Sequence, residues 1–431
     1  SQGTTSQEIC RQYDKHFTIS KEMVKEFREW YACSQDPLCD VNEVFPMYSI
    51  PDIILNWPAH GPTGGYDYYL APFWDVDDDG SYNPLMGDFP YYEFFNEGIT
   101  DDHDCARPKD RMPKLFGDFT LWWVYNDRGN IHTETGGDPI GMEFRAQAFG
   151  FTTNDELNDM TFYNYNIINR STYTLYETYF GVWTDADLGG ATDDYTGCDV
   201  LRGLGYMYNG DSFDDDYQGN LGYGDQPPAI GIDFFEGPYQ DDDLQDNSTS
   251  FDTINGVKVL NCQKGDILNG NINGLNFQDG TVDNERWGMR RFIYFNNGTG
   301  NAGTQDPSTA IQHYNYLTGC WKDGQRLCYG GTGHPSGGGD SNVPTDFMFP
   351  GKPTTDKCGW GQGGVPMPDW SEETENNPAL DRRFVQSAGP FVLKPGAVND
   401  ITIGAVYARA PSGGAWASVE AVRKADDKAQ V

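Results

Sequence analysis

Carboxylates are the residues of this chain best suited to chemistry, and one short segment concentrates them. Residues 75–83 read DVDDDGSYN, so Asp75, Asp77 and Asp79 occupy alternate positions ahead of Gly80. Alternating carboxylates followed by a glycine allow a short loop to surround a hard cation with oxygen ligands. Three such groups repel one another unless a counter-charge lies among them. The segment therefore predicts a Ca²⁺ site.

The predicted loop differs from an EF-hand in the residue that would complete its ligand set. The twelfth position holds Met86 in place of glutamate, and Asn83-Pro84 opposes an immediate helix. Asp88 follows two residues later, and we expect it to supply the missing carboxylate from a longer loop. An ordinary acidic turn is the alternative interpretation of the segment.

A second acidic segment begins where a predicted strand ends. Residues 184–199 read TDADLGGATDDYTGCD and offer five further candidate ligands for Ca²⁺, namely Asp185, Asp187, Asp193, Asp194 and Asp199. Functional side chains commonly lie on loops that leave a rigid strand. Weaker clusters lie at 214–216 and 241–246, where a solvated acidic loop explains the pattern nearly as well.

Catalytic motifs are not evident in the sequence. Its six histidines are widely separated, and no nucleophile elbow, P-loop or dinucleotide fingerprint is present. A glycosidase needs two carboxylates at a set separation, and 65 acidic residues offer too many pairs for the sequence to select one. We predict no catalytic residue and no organic cofactor, and we leave open whether the chain is an enzyme.

The charge balance limits the classes of partner. The chain carries 29 basic and 65 acidic residues, a net charge of −36. Nucleic acids and anionic membranes would repel such a surface. No apolar run approaches the roughly 20 residues that span a bilayer, so we predict no membrane insertion. The 431 residues can bury one large core or two to three ordinary ones.

The cysteine pattern is typical of an exported protein. The nine cysteines form no C-x-x-C motif, and the close pairs Cys33/Cys39 and Cys320/Cys328 suit disulfides. An odd count leaves at least one thiol free or bonded elsewhere. Buried reduced thiols are the alternative, because spacing alone does not prove a bridge.

Most of the predicted elements are strands. A helix is predicted after Ser20, a suitable N-cap. Strands are predicted at 119–125, 142–149, 161–168, 174–182, 229–235, 291–294, 391–393 and 401–409. The turn-forming residues 169–171 predict that the strands on either side form a hairpin. The stretches 184–228, 236–290 and 297–380 are predicted to be loops, and 418–431 is predicted to be helical.

These elements predict a mainly β fold with a β-sandwich-like core, long calcium-stapled loops and short N- and C-terminal helices. Long irregular stretches are uncommon in a compact domain, so we expect calcium and disulfides to hold them. We divide the chain into an N-terminal helical segment (1–50), a β-rich calcium-stabilised domain or pair of packed sandwiches (51–410), and a C-terminal linker and helix (411–431) that leads into further chain.

Residues 50–430 resemble the large N-terminal region of Bacteroidota cell-surface proteins exported by the type IX secretion system. The segments that carry this resemblance are WPAHGP (57–62), APFWDVDDDGSYNPLMGDFP (71–90), HTETGGDPIGMEFRAQAFGF (132–151), TFYNYNIINRS (161–171), TDADLGGATDDYTGCDV (184–200), PPAIGIDFFEGP (227–238) and DRRFVQSAGPFVLKPGAVNDITIGAVYARA (381–410). The resemblance implies an extracellular location, with repeat modules and a C-terminal sorting domain normally following. It supplies no catalytic residues.

We therefore expect a secreted or surface-attached calcium-binding protein with a structural or adhesive role, such as a subunit of an extracellular fibre or matrix. Its expected partners are other copies of itself or surface components. The alternative is a carbohydrate-active enzyme or glycan-binding module, in which some of the tryptophans at 122, 123, 183, 321, 360 and 370 would stack against sugars. An open cleft with two facing carboxylates and an exposed tryptophan would favour that alternative.

Overall fold

A computed structural model describes residues 7–62, 69–93, 113–129, 131–266, 269–298, 300–352 and 354–430. The helices are α1 (Gln7–Tyr13), α2 (Lys21–Gln35), α3 (Val41–Val44), α4 (Asp52–Leu55), α5 (Ala310–Leu317) and α6 (Gly414–Ala429). The strands are β1 (Phe17–Ser20), β2 (Phe73–Trp74), β3 (Phe89–Pro90), β4 (Phe119–Asn126), β5 (Met142–Gly150), β6 (Met160–Asn169), β7 (Leu175–Thr184), β8 (Asp194–Asp199), β9 (Leu204–Asn209), β10 (Phe213–Asp214), β11 (Gly224–Asp225), β12 (Ala229–Glu236), β13 (Phe251–Ile254), β14 (Val257–Leu260), β15 (Arg291–Asn296), β16 (Cys328–Tyr329), β17 (Asp340–Pro344), β18 (Arg382–Leu393) and β19 (Val398–Ala408).

The prediction of a mainly β, sandwich-like fold is confirmed. One antiparallel sheet has the strand order β1-β4-β5-β6-β19-β12-β9-β8, and a second has the order β15-β18-β7. The two sheets share one hydrophobic core, to which the first contributes Met207, Ile232 and Ile403 and the second Phe292, Phe384 and Phe391. Gln386 of β18 also donates a 3.1 Å hydrogen bond across the core to the carbonyl of Ile232. Burial of both inner faces is what stabilises such a sandwich.

The prediction that residues 169–171 form the turn of a hairpin is wrong, although both of the predicted strands are present. β6 pairs with β5 and β19 in the large sheet, whereas β7 pairs with β18 in the small one. The chain therefore crosses from one sheet to the other at this turn. Asn169 fixes the crossing, because its side-chain amide donates 2.8 Å hydrogen bonds to the carbonyls of Tyr173 and Leu393.

The three stretches predicted to be loops are only partly irregular. β8 and β9 lie within 184–228 and pair with each other at the edge of the large sheet. β13 and β14 form a ribbon within 236–290, and α5 lies within 297–380. β9 was missed because all six of its residues are buried, so it lacks the alternation of polar and apolar residues that marks a half-exposed strand.

The helix predicted after Ser20 is confirmed as α2. The Ser20 hydroxyl accepts a 3.2 Å hydrogen bond from the Met23 amide, as an N-cap does. Val24 and Phe27 on this helix are fully buried in a second apolar cluster, which also contains Ile54, Trp57 and Phe89 and which we call the N-terminal apolar cluster. Since β1 pairs with β4, this cluster lies at the β1 end of the large sheet. The C-terminal helical prediction is also confirmed, as α6.

Two disulfides are present among the described residues. Cys33–Cys39 was predicted, and Cys262–Cys358 joins residues 96 positions apart. The predicted pairing of Cys320 with Cys328 is wrong. Both of those thiols are free, and the buried Cys328 thiol lies 3.3 Å from the Gly333 carbonyl. Cys105 lies outside the described residues. None of the helices in the described ranges has the length and apolar character needed to cross a bilayer.

Candidate metal centre

The acidic segment after Trp74 forms a closed loop because the strands on its two sides pair. In the β2–β3 ribbon, Trp74 lies opposite Phe89. The residues that follow β2 and precede β3, Asp75 and Asp88, are therefore brought to the same end of the ribbon. We call residues 75–88 the Asp75 loop.

The backbone of the Asp75 loop curls around its first carboxylate. Oδ2 of Asp75 accepts a 2.7 Å hydrogen bond from the Gly80 amide, and Oδ1 accepts a 3.3 Å bond from the Asp79 amide. The curl requires left-handed backbone at Asp78 and Gly80, whose φ angles are 57° and 77°. Glycine adopts this conformation without strain, and aspartate tolerates it better than most residues.

Three carboxylates meet inside this loop. One oxygen from each of Asp75, Asp77 and Asp88 lies within 4.8 Å of the others. Asp88 is completely buried, and its two oxygens accept hydrogen bonds of 2.8 Å from the Val76 amide and 2.7 Å from the Asn83 amide. Asp88 is thus held in place by the loop, and it occupies the position expected for the completing carboxylate.

The described residues provide no positive partner for this group of carboxylates. Burial raises the pKa of Asp88, and the charges of Asp75 and Asp77 raise it further, against the lowering by its two backbone hydrogen bonds. Partial desolvation and the charge of Asp79 likewise raise the pKa of Asp77. Among the described residues, no lysine or arginine forms an ion pair with Asp75, Asp77 or Asp88. The nearby His60 ring accepts a hydrogen bond from the Tyr82 amide through Nε2.

The remaining predicted ligand of the loop lies outside the group. Oδ1 of Asp79 accepts a 2.7 Å hydrogen bond from the Ser81 amide, and its carboxylate is not among the three that converge. Asp79 still acts on the group, because its charge contributes to raising the pKa of Asp77. In the structure Asp79 shapes the turn, while Asp88 takes the converging position.

The far side of the loop is fastened to the N-terminal apolar cluster. The Tyr31 hydroxyl of α2 donates a 2.7 Å hydrogen bond to the Met86 carbonyl, and the Tyr82 hydroxyl donates a 2.6 Å bond to the Ile54 carbonyl. Gly87 lies so close to α2 that a Cβ atom there would be 2.5 Å from the Tyr31 ring. The Asp75 loop is therefore anchored at several points of its length.

This donor set suits a hard divalent cation. The converging atoms are carboxylate oxygens, the ligands that Ca²⁺ and Mg²⁺ prefer, and no imidazole or thiolate belongs to the group. Ca²⁺ tolerates irregular, flexible coordination better than Mg²⁺ does. The oxygens would hold the ion, and the ion would supply the counter-charge that the group lacks. Such a site orders a loop and has no evident role in catalysis.

A second acidic group lies where β7 ends beside the start of β18. Thr184 pairs with Phe384, which brings Asp185 and Asp187 together with Asp381, and one oxygen from each lies within 4.8 Å of the others. We call these three residues the Asp185 group. Asp381 lies about two hundred positions along the chain from the other two, so only the strand pairing reveals it.

The Asp185 group already has a positive partner. Nε of Arg383 lies 3.0 Å from Oδ2 of Asp185 and 4.0 Å from Oδ1 of Asp381, while Nη1 lies 2.7 Å from Asp306. Burial raises the pKa of Asp185, and the Arg383 guanidinium opposes that rise. One oxygen each of Asp185 and Asp381 is nevertheless buried without a hydrogen-bond donor.

The other three predicted ligands of this segment do not join the Asp185 group. Asp193 accepts a 3.2 Å hydrogen bond from the Asn209 side chain. Asp194 is almost completely buried and accepts a 3.3 Å bond from the Leu188 amide, and burial raises its pKa to about 9. Asp199 faces two guanidinium groups, which are described below.

One open cleft among the described residues can be compared with the carbohydrate-active alternative, and it does not hold two facing carboxylates. This cleft of about 390 Å³ is lined by Arg326, Asn342, Gln362 and Asp346 among others. Asp346 is the one carboxylate in that lining, and it forms ion pairs with Arg291 and Arg326. The tryptophans at 122, 321, 360 and 370 are buried in the core, whereas Trp183 is 57% exposed.

No protein-family model matches the chain, and no curated protein matches its sequence.

Proposed function

We propose that this chain is a calcium-stabilised structural or adhesive protein of the bacterial cell exterior, related to the N-terminal region of type IX-exported surface proteins. Calcium binds in the Asp75 loop and fixes it against the N-terminal apolar cluster. The protein acts through its surface, by contact with other copies of itself or with surface components. It performs no reaction in this role.

One observation carries the proposal: three carboxylates converge in a loop whose charge no described basic residue meets. Asp88 is completely buried among them. An uncompensated buried carboxylate is costly, and proteins relieve that cost by protonation, by an ion pair or by a metal. The oxygen-only donor set favours the metal.

Two further features support an extracellular location. The disulfides Cys33–Cys39 and Cys262–Cys358 are of the kind that persists in oxidising compartments. Extracellular calcium modules bind with dissociation constants of roughly 10⁻⁴–10⁻³ M, which suits the calcium levels outside cells. A loop in which three carboxylates converge belongs to that class of site.

Isothermal titration calorimetry with CaCl₂ tests the metal site. We expect one binding event in the micromolar to millimolar range for the wild-type protein and none for an Asp75→Asn/Asp77→Asn variant. A matched Asp215→Asn/Asp216→Asn variant removes the same charge from another acidic loop and should bind as the wild type does. Equal binding by both double variants would contradict the assignment of the ligands.

The role is tested by sedimentation and by glycan arrays, each with calcium and with chelator. Self-association or adhesion to bacterial surfaces that depends on calcium would support the structural role. The alternative predicts binding to a defined glycan or its hydrolysis, with the exposed Trp183 ring as the stacking surface. A Trp183→Ala variant that abolishes glycan binding would replace the structural proposal with that alternative.

A further inference from the structure

Helix α6 packs across strands of the large sheet through an apolar face and two acidic side chains. Val419 and Val422 are completely buried against Leu204 and Ala229. The helix lies close to strand β12, because a Cβ atom on Gly231 would be 2.8 Å from the Val422 side chain. Positions 419, 422 and 426 of a helix share one face, and positions 231 and 233 of a strand share another.

Asp426 therefore lies on the face of α6 that packs on the sheet, and Asp233 lies on the face of β12 that packs on the helix. Neither residue has any exposed surface. Both oxygens of Asp426 and Oδ1 of Asp233 are buried without a conventional hydrogen-bond donor, while Oδ2 of Asp233 accepts a 2.6 Å bond from the Gln430 side chain. Because Val422 approaches Gly231, Asp426 one helical turn later lies beside Asp233 two strand residues later, and each carboxyl group acts on the pKa of the other. Two buried carboxylates in contact cannot both remain ionised without a large repulsion.

The nearby cations are committed to other carboxylates. Among the described residues, the charged groups around the pair are Asp199 at the end of β8, Arg202 in the turn that follows, and Arg423 and Asp427 of α6 itself. Arg202 reaches Asp199 at 2.9 Å and Asp427 at 2.8 Å. Arg423 lies 3.0 Å from Asp199 and 2.7 Å from Glu420. Asn273, whose side chain lies near Gly203 as Oδ1 of Asp233 does, donates its amide to the Val200 and Met289 carbonyls.

We propose that Asp233 and Asp426 share a proton, and that this carboxyl–carboxylate hydrogen bond is a pH-sensitive latch that holds α6 on the large sheet. The proton supplies the donor that both groups lack. When it is lost, two negative charges face each other inside the interface, and α6 separates from the sheet. Release of α6 would expose the apolar surface formed by Leu204, Val406 and Phe235.

The direction of the pH dependence follows from the environment of the pair. Burial raises the pKa of both carboxyl groups, and the charge of Asp233 further raises the pKa of Asp426. Raised pKa values mean that the docked helix retains protons that the released helix loses. Docking is therefore strongest at low pH and weakens as the pH rises from the ordinary carboxyl range through the raised pKa values. Each retained proton makes opening of α6 about tenfold more favourable per pH unit.

Hydrogen–deuterium exchange of residues 414–430 in the whole protein, corrected for the intrinsic pH effect, tests the latch between pH 5 and pH 9. We expect opening of α6 in the wild type to increase by about tenfold per pH unit over part of this range. In Asp426→Asn the amide donates to Asp233 at every pH, so the opening should be independent of pH. Asp233→Asn tests the same bond from the other side, should Asp426→Asn fail to fold.

Asp138→Asn is the matched control, because it removes the same charge from an exposed position that lies outside α6 and its ion pairs. It should keep the wild-type pH dependence. A wild-type protein without pH-dependent opening, or an Asp426→Asn variant with the wild-type dependence, would overturn the proposal. Protection of α6 at pH 9 that returns on adding CaCl₂ or MgCl₂ would also overturn it, since a cation would then join the two carboxylates.

Discussion

The Asp75 loop and the Asp185 group contain the same number of converging carboxylates but differ in what meets their charge. In the Asp185 group, Arg383 approaches Asp185 at 3.0 Å. In the Asp75 loop no described basic residue forms an ion pair with the converging carboxylates, and the buried Asp88 lies beside the half-buried Asp75 and the exposed Asp77. Two groups with the same number of carboxylates can therefore differ in whether a metal ion is needed to neutralise their charge.

A folded chain can neutralise a cluster of carboxylates in two ways. A guanidinium group can be provided by the chain itself, and it then belongs to the fold under all conditions. A calcium ion is provided by the surroundings, so the stability of the loop that binds it depends on the calcium concentration. We expect the Asp75 loop to respond to calcium and the Asp185 group to respond weakly.

The largest effect is expected for Asp88→Ala. This change removes a carboxylate that accepts hydrogen bonds from the Val76 and Asn83 amides, and each unsatisfied buried donor costs about 1–3 kcal/mol. We expect the free energy of unfolding to fall by about 2–4 kcal/mol in urea denaturation, with loss of the calcium response. Asp138→Ala, at an exposed position, is the control. A loss no larger than that of the control would mean that Asp88 does not organise the loop.

The next effect is expected for Arg383→Met, which removes the internal counter-charge of the Asp185 group. Without calcium we expect a loss of about 1–3 kcal/mol, since charged hydrogen-bonded pairs contribute on that scale. Added calcium should then restore part of the stability, whereas we expect only a weak response at this site in the wild type. Lys25→Met, which removes an exposed cation, should behave as the wild type. Calcium rescue of both variants, or of neither, would contradict the comparison.

A smaller effect is expected when calcium is removed from the wild-type protein. At ten times the dissociation constant, one bound ion stabilises the native state by about 1.4 kcal/mol. This corresponds to a fall of roughly 2–4 °C in melting temperature for a protein of moderate size. Limited proteolysis in chelator should cleave within 75–88 and leave 184–199 intact. Cleavage of both segments would show that Arg383 does not replace a metal.

The smallest effect is expected for Asp77→Ala compared with Asp215→Ala. Both residues are exposed, so neither substitution should change stability measurably in chelator. With calcium present, Asp77→Ala should lose the added stability of the bound ion, whereas Asp215→Ala should keep it. Calcium-dependent differential scanning fluorimetry of the two variants measures the difference. Equal calcium-induced shifts would remove Asp77 from the site.

The parts of the fold that the sequence predicts are those set by local interactions. The cap at Ser20 and the strands β4, β5 and β19 follow from side-chain chemistry and periodicity within a few residues. Pairing between distant strands is not local, which is why β6 and β7 were assigned to one hairpin. The turn residues at 169–171 are compatible with a hairpin and with a crossing between sheets, and the choice depends on partners more than 200 residues away.

The candidate sites also differ in whether their residues are close in sequence or are brought together only by the fold. Asp75 and Asp77 belong to the alternating pattern, and Asp88 was expected because the twelfth position lacks a carboxylate, so local sequence predicts their meeting. The same pattern also predicted Asp79, which does not converge with them. Asp381 joins the Asp185 group through the pairing of β7 with β18, and no spacing within one segment could indicate it. The role of Arg383 is equally hidden, because Asp185, its neighbour in space, lies about two hundred positions earlier in the chain. The calcium assignment itself stays a prediction.

The Cys262–Cys358 bond encloses a segment that includes β15, α5, β16 and β17. In the chain-entropy description, closing a ring of about one hundred residues restricts the unfolded chain by roughly 4–5 kcal/mol. The covalent ring also determines what happens when a protease cuts the chain. A protease that cuts once between residues 263 and 357 leaves both pieces covalently joined, so a nicked molecule stays whole until a reductant opens the bond.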